Sequence, residues 1–266
     1  HNVMAGVKTG ISGQINNNIV TDGLVFYIDP AYKSSWSGPQ SSDTNTLVPN
    51  STISGSINND TSGSYGQYNS FNFDGTDSYI DVTPLTASIQ QNTIGTISLW
   101  AKAESNSSFD TLFSGTRTTQ FRTSFALRLR DSGLPAKLHM NFRKNGEDPS
   151  HVAFQTTNTE ISADTWYNIA VTQDASAAVC YINGSTVSLE NLTSGNPTTV
   201  STLWYQYIAP QELYIGKNRV GNQNNPGAVD VGHWDGQIGP ILFYNRALSA
   251  GDVLQNYQAQ KERFGF

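Results

Sequence analysis

Between Thr96 and Leu189 the chain offers one short apolar run after another, with no helix of any length fitting between them. The runs are Thr96–Ala103, Thr111–Ser114, Phe125–Arg130, Lys137–Phe142, Val152–Gln155, Tyr167–Thr172 and Ala178–Ile182, rich in the β-branched and aromatic residues that suit a pleated surface. Short strands of this kind bury their apolar faces only against another sheet, which restricts the chain to a sandwich or barrel. Asn183-Gly184 is the dipeptide that a tight type I′ turn demands, and Ser185–Leu189 leads out of it, so a hairpin is expected there. Upstream, Leu24–Ile28 is a strand opened by Asp22-Gly23 and stopped by Asp29-Pro30. Tyr68–Phe73 and Tyr79–Val82 flank Asp74-Gly75-Thr76-Asp77 and read as a second hairpin. Glu212–Lys217 and Gln237–Tyr244 finish the sheets, with Pro240 expected at an edge or bulge.

One helix closes the chain. Ser249 stands as its N-cap and Asp252 three residues on can complete a capping box, while Leu248 can staple onto Val253. Leu248, Val253, Leu254 and Tyr257 are expected to pin this helix against the sheets. The expectation is an all-β sandwich of about a dozen antiparallel strands with one short C-terminal helix. Trp100, Trp166 and Trp234 suit its core.

Length allows one large β-domain. Residues 1–20 are poor in large apolar groups and read as an N-terminal arm, a docking segment, ahead of a single domain over 21–266. Ser34 to Ser64 is a polar excursion suited to a surface loop with short strands. A net charge of -6 argues against a nucleic-acid surface, because neutralising phosphates takes clustered Lys and Arg. The densest basic cluster, Arg122 to Arg143, alternates along strands, and Arg128 and Arg130 flanking Leu129 read as a solvated sheet face. Cys180 is the only cysteine, between Val179 and Tyr181, so no internal disulfide is expected and the thiol reads as a small core residue. No run of about 18 apolar residues occurs and the N-terminus lacks the regions of a signal peptide, so a soluble chain without membrane insertion is expected.

Six fragments in order carry a family resemblance: Asp22–Asp29, Phe73–Ile80, Thr96–Trp100, Trp166–Thr172 running on to Tyr181–Gly184, Tyr214-Ile215-Gly216, and Tyr244–Ser249. Together they resemble the laminin G-like branch of the concanavalin A-like jelly rolls over residues 22–264. With Leu254–Gly265 at the end, the chain is similar to the version found in virion proteins of tailed bacteriophages, including those of cyanobacteria. That resemblance implies a non-enzymatic virion structural protein, a capsid decoration, head fibre or tail fibre component. Its partners would be other virion proteins, copies of itself and host-surface glycans, and its location the virion. Relatives often carry a Trp-x-Asp-x-Ser-Gly-Asn run after the first strand, where this chain has Ser41 to Asn50. A secreted, extracellular lectin or carbohydrate-binding module is the alternative, and a polysaccharide-degrading enzyme a weaker one.

Catalytic patterns are missing from the sequence. Glycoside cleavage calls for two carboxylates flanking the scissile bond, and no Glu-x-Asp-x-Glu strand occurs. Glu147-Asp148 are adjacent, ahead of Pro149 in a turn. Neither Gly-x-Ser-x-Gly nor His-Glu-x-x-His is present, and His139, alternating with Leu138 and Met140, reads as solvent-facing. No cofactor is required. The resemblance admits calcium, for which Asp74 and Asp77 in one turn are the candidate ligands, with Asp29, Asp230 and Asp235 as further loop carboxylates; the competing reading is that such Asp residues only bond their own turn. Sugar binding takes an aromatic face and groups for hydroxyls, which two loops supply. Trp204, Tyr205 and Tyr207 form the first; Arg219, Asn222 and Asn224 with His233, Trp234 and Asp235 form the second. Packing or contact between subunits competes for the same residues.

Overall fold

A computed structural model describes residues 18–30, 52–54, 58–60, 70–89, 94–117, 122–143, 151–174, 177–192, 211–222 and 225–266. Two antiparallel sheets of eight strands face each other. The first runs in the order Ser185–Val187 (β13), Ala178–Ile182 (β12), Trp166–Gln173 (β11), Gly95–Ala103 (β6), Asp235–Tyr244 (β18), Ser70–Asp74 (β4) and Asn58–Asp60 (β3), and Leu24–Ile28 (β1) also pairs with β18. The second runs Leu189–Asn191 (β14), His151–Thr156 (β10), Leu138–Arg143 (β9), Arg122–Leu129 (β8), Thr111–Arg117 (β7), Glu212–Ile215 (β15), Tyr79–Asp81 (β5) and Thr52–Ser54 (β2). A separate ribbon pairs Asn218–Asn222 (β16) with Asn225–Val231 (β17). A 3-10 turn over Thr83–Leu85 leads into the short helix α1, Thr86–Ile89, and the C-terminal helix α2 is Ala250–Gln260.

Register explains the core. In β6, Ile97 lies opposite Val171 and Phe243, and Leu99 opposite Ile169 and Ile241, so one set of alternating residues fills the space between the sheets. The opposite set, Thr96, Ser98 and Trp100, is buried too, because α2 and the residues after it cover the outer face. Trp100 stacks on Phe264 with ring centroids 4.2 Å apart and donates its indole N–H to Gln260 Oε1 at 2.9 Å. Burying such a ring is worth about 5 kcal/mol of transfer free energy. Trp166 lies against the same Phe264, half-buried. Only Trp234 of the three tryptophans sits between the sheets.

The bulge expected at Pro240 is present. Ile238 pairs with Ala101 and Ile241 with Leu99, so two residues stand opposite Trp100, and the missing N–H of Pro240 falls where the ladder is already interrupted. At the end of the chain Ser249 Oγ accepts from Asp252 N and Asp252 Oδ2 accepts from Ser249 N, the reciprocal capping box. Leu248 and Val253 are buried in one cluster with Ala170, Tyr181, Leu242 and Tyr244, as the staple requires. Leu254 departs from expectation: it is 42% exposed and lies over the Asn183-Gly184 turn rather than in the interface. Val20 joins that cluster, its N–H donating to Asn256 Oδ1 and its carbonyl accepting from Tyr244 Oη. Residues 18–20 therefore belong to the folded body, while residues 1–17 of the expected arm lie outside the described residues.

A second departure concerns Asp74–Asp77. The strands on either side do not form a hairpin: β4 pairs with β18 and β3, whereas β5 pairs with β15 and β2 in the other sheet. The turn carries the chain across the sandwich. Asn183-Gly184, by contrast, makes the expected hairpin, with φ of 51° and 78° and Ile182 facing Ser185. Among the described residues no helix is long and apolar enough to cross a membrane.

Candidate functional site

At one end of the sandwich the crossing turn 74–78, the loop 104–110 and the segment 229–236 meet through their backbones. Gly75 N donates to Trp234 O, Thr111 N to Gly232 O, Glu104 N to Asp235 O, and Trp234 N to Gly216 O, all between 2.8 and 2.9 Å. Glycine is needed at two of these contacts. A Cβ on Gly216 would fall 2.3 Å from the Phe73 ring, and one on Gly232 2.5 Å from Phe109 O, both at positive φ. The chain is thereby held close enough for Asp74, Asp77, His233 and Asp235 to share one rim.

Each of these groups has a local assignment. Asp74 is partly desolvated, which raises its pKa, but Oδ1 accepts the backbone N–H groups of Thr76, Asp77 and Ser78, and these bonds win and hold the carboxyl far below its usual range. The turn reading of this residue therefore describes its bonding. Asp235 accepts from Ser105 Oγ. Burial holds His233 below its ordinary pKa against the pull of Asp230, with Lys217 adding to the depression. Calcium takes six to eight oxygens. Asp74 Oδ1 is spent on three N–H donors, and among the described residues no group of three His, Cys, Asp or Glu is positioned for a metal.

Beside the rim, Lys217 is a buried cation that sequence reasoning missed. Its Nζ lies 3.3 Å from the Tyr79 ring centroid and 4.3 Å from that of Tyr214, and donates to Asp230 Oδ2 at 2.9 Å. Arg219 donates to Tyr214 Oη at 3.4 Å and lies near Glu212 and Asp230. Burial, over the opposing bond from Arg219, pushes the Tyr214 phenol up, so it stays neutral. This network ties the β16–β17 ribbon to the second sheet. Nothing local marks it: Tyr79 and Tyr214 alternate like any strand aromatics, and only the pairing of β5 with β15 brings them edge to face at 5.7 Å.

On the outer face of the second sheet, Arg128 and Arg130 hold their guanidinium carbons 4.4 and 5.4 Å from the centroid of Phe109. Both are half-buried, which corrects the solvated-face reading. His139 is corrected as well: it is 2% exposed, and its Nδ1 accepts from Arg128 Nε at 3.0 Å. Phe109 itself is half-exposed at φ 56°, an uncommon conformation for a bulky residue. The loop around it is locked by Phe109 N to Asp131 O, Leu129 N to Asp110 O and Gly133 N to Asn106 O bonds.

Of the residues expected from sequence, the structure thus gathers Asp74, Asp77, Arg219, His233 and Asp235 at one end. Trp234 reaches the same place but turns its ring into the core at 1% exposure, so it cannot offer a face to a ligand. Asn222 ends β16 opposite Asn225. Trp204, Tyr205, Tyr207 and Asn224 lie outside the described residues, as do Glu147 and Asp148.

Similarity to solved structures runs through binding domains. The receptor-binding domain of a botulinum neurotoxin C/D mosaic superposes with a TM-score of 0.58 at 12% identity, over 91% of this chain and 52% of that one, so this chain spans about half its length. Domain 4 of AbnA, an extracellular arabinanase of Geobacillus stearothermophilus, solved with arabinotriose, gives 0.54 at 17% identity over 88% and 98% of the two chains. The carbohydrate-binding module CBM40 of a Ruminococcus gnavus sialidase, solved with α2,3-sialyllactose, gives 0.52 at 17% over 70% and 94%. Identities this low speak for the fold alone. No curated protein matches the sequence. A family model does: Laminin_G_3, described as Concanavalin A-like lectin/glucanases superfamily, matches residues 74–254, the stretch that holds both the rim and most of the two sheets, and the chain belongs to that superfamily.

Proposed function

We propose that the chain is a non-enzymatic glycan-binding jelly roll. The observation that supports it best is half-exposed Phe109, whose backbone abuts Gly232 at the rim and whose ring lies against the guanidiniums of Arg128 and Arg130, on a loop locked by cross-strand hydrogen bonds. A half-exposed aromatic ring next to fixed polar groups is what a pyranose needs, its apolar side against the ring and its hydroxyls toward donors and acceptors. Rigid presentation lowers the ordering cost of binding. The fold is shared with domains solved with sugars bound, an analogy that adds weight without assigning a ligand. A glycan array probed with the labelled protein tests the reading: reproducible binding lost in Phe109→Ala supports it, and no binding to any glycan overturns it.

The setting we propose is the virion of a tailed phage, with the module as a capsid decoration or fibre component contacting other virion proteins and host-surface glycans. What supports this is the resemblance of residues 244–265 to the closing segment of such proteins, a segment that here covers the outer face of the first sheet. A secreted lectin is the competing setting. Mass spectrometry of purified particles that never detects the chain refutes the virion reading, and leaves the binding reading standing.

A further inference from the structure

Charge is distributed unevenly along this chain. Between Thr111 and Gly146 lie seven of its fifteen Lys and Arg residues and a single acid, Asp131, so this stretch carries plus six in a protein of net -6. The three strands it forms, β7, β8 and β9, are neighbours in the second sheet. Folding brings three of these residues together, Arg128 on β8 and Arg130 and Lys137 joined just beyond it by the Arg130 N to Lys137 O bond, and a local excess of cations draws in anions.

Within that region the Phe109 platform has a defined chemistry. Arg128 and Arg130 approach its ring, His139 lies 6.2 Å from it, and Arg130 keeps about a third of its side chain exposed while pairing with the more exposed Asp131. Across the strands, register sets Arg128 beside His139 and His139 beside Gln155. Gln155 donates its amide to Glu190, while its buried Oε1 has no hydrogen-bond partner among the described residues. An aromatic face, planar guanidinium donors and a buried acceptor thus follow one another along the sheet. Resting on the glycan-binding reading, we infer that this platform selects carboxylate-bearing sugars: the pyranose ring lies on Phe109 and its carboxylate engages the Arg130 and Arg128 guanidiniums. Guanidinium suits a carboxylate because its paired N–H groups match the two oxygens. For Arg130 the exchange is favourable to the ligand, since the competing Asp131 pair is solvent-exposed and worth little.

Polygalacturonate and its fully methyl-esterified form share a backbone and differ in the carboxylate charge, so affinity electrophoresis of the whole chain in each is the test. The expected result is retention by the charged polymer at least about tenfold stronger than by the ester, weakening as sodium chloride is raised, with Arg130→Gln losing most of that difference and Arg130→Lys recovering part of it. Circular dichroism confirms that the variants fold; if Arg130→Gln does not, Arg130→Lys and the salt series carry the test. Equal retention by both polymers, or selectivity indifferent to Arg130, overturns this inference and leaves glycan binding intact. Comparable retention by single-stranded DNA also overturns it, because the surface is then a general polyanion sink. No binding to either polymer, with array binding to neutral glycans, overturns the inference alone; an array with no binder overturns the glycan reading as well.

Discussion

Replacing Arg263 by Met should cost this protein about 3–5 kcal/mol, far more than most single substitutions. Arg263 follows α2 and reaches Asp29, just past β1, with Nη1 to Oδ2 at 2.7 Å and Nη2 to Oδ1 at 2.9 Å. Tyr27 Oη donates to Oδ2 as well, at 2.7 Å. Asp29 is fully buried and Arg263 nearly so, so the pair has given up its hydration and depends on this geometry. Taking away the guanidinium leaves a buried carboxylate without its countercharge, whereas replacing both partners by apolar residues leaves no buried charge and removes only the acceptor of the half-buried Tyr27 hydroxyl. Asp29→Leu with Arg263→Met should therefore recover most of the loss, and a double-mutant cycle should show strong coupling. Urea unfolding followed by circular dichroism and by tryptophan fluorescence, which reports Trp100 under the same tail, gives the numbers; for a chain of this length the single variant should melt about 5–10 °C lower. Adding about 1 M salt should leave the difference in place, since a buried pair is poorly screened. A loss below about 1 kcal/mol, or additive single variants, refutes the reasoning that this pair clasps the C-terminal segment to the first strand.

Three further outcomes follow from the structure. Gly216→Ala places a methyl group 2.3 Å from the Phe73 ring at a φ of 84°, and should lower unfolding free energy by about 2–4 kcal/mol in urea titration. His233, held by burial below its ordinary value of 6.5, takes up a proton more readily unfolded than folded, so its contribution to stability is present above about pH 6.5 and is lost as pH falls; urea midpoints at pH 7 and pH 5.5 should differ more for the native chain than for His233→Gln. Burial, assisted by the charge of Glu160, pushes the Cys180 thiol up to about 12, so a thiol reagent at pH 8 should label nothing until denaturant is added, and then one site per chain.

What could be read in the sequence was local. The Asn183-Gly184 hairpin needs only two residues able to take positive φ, and the Ser249–Asp252 box only a side chain and a backbone group three residues apart, so both appear where the residues announced them. Strand Leu24–Ile28 ends where Asp22-Gly23 and Asp29-Pro30 bound it. The ribbon of β16 and β17 went unread because its Asn- and Gly-rich strands have loop composition, and what holds it is the buried Lys217 between Tyr79 and Tyr214. His139 looked solvent-facing because strand alternation says only that it points away from Met140, and this face of the sheet is buried too.

Asp74-Gly75-Thr76-Asp77 shows the boundary between the two kinds of knowledge. Residue identity determined the turn, since an Asp followed by Gly can fold its carboxylate onto the next backbone N–H groups wherever it stands. Whether the following strand returns beside its predecessor or crosses to the opposite sheet is settled by the partners waiting on each side, β18 for β4 and β15 for β5, from far along the chain. The same holds for function: aromatic, basic and amide residues were visible one by one, but the placing of Phe109 against Arg128 and Arg130, and the turning of Trp234 inward, depend on how the sheets stack, which no local pattern encodes.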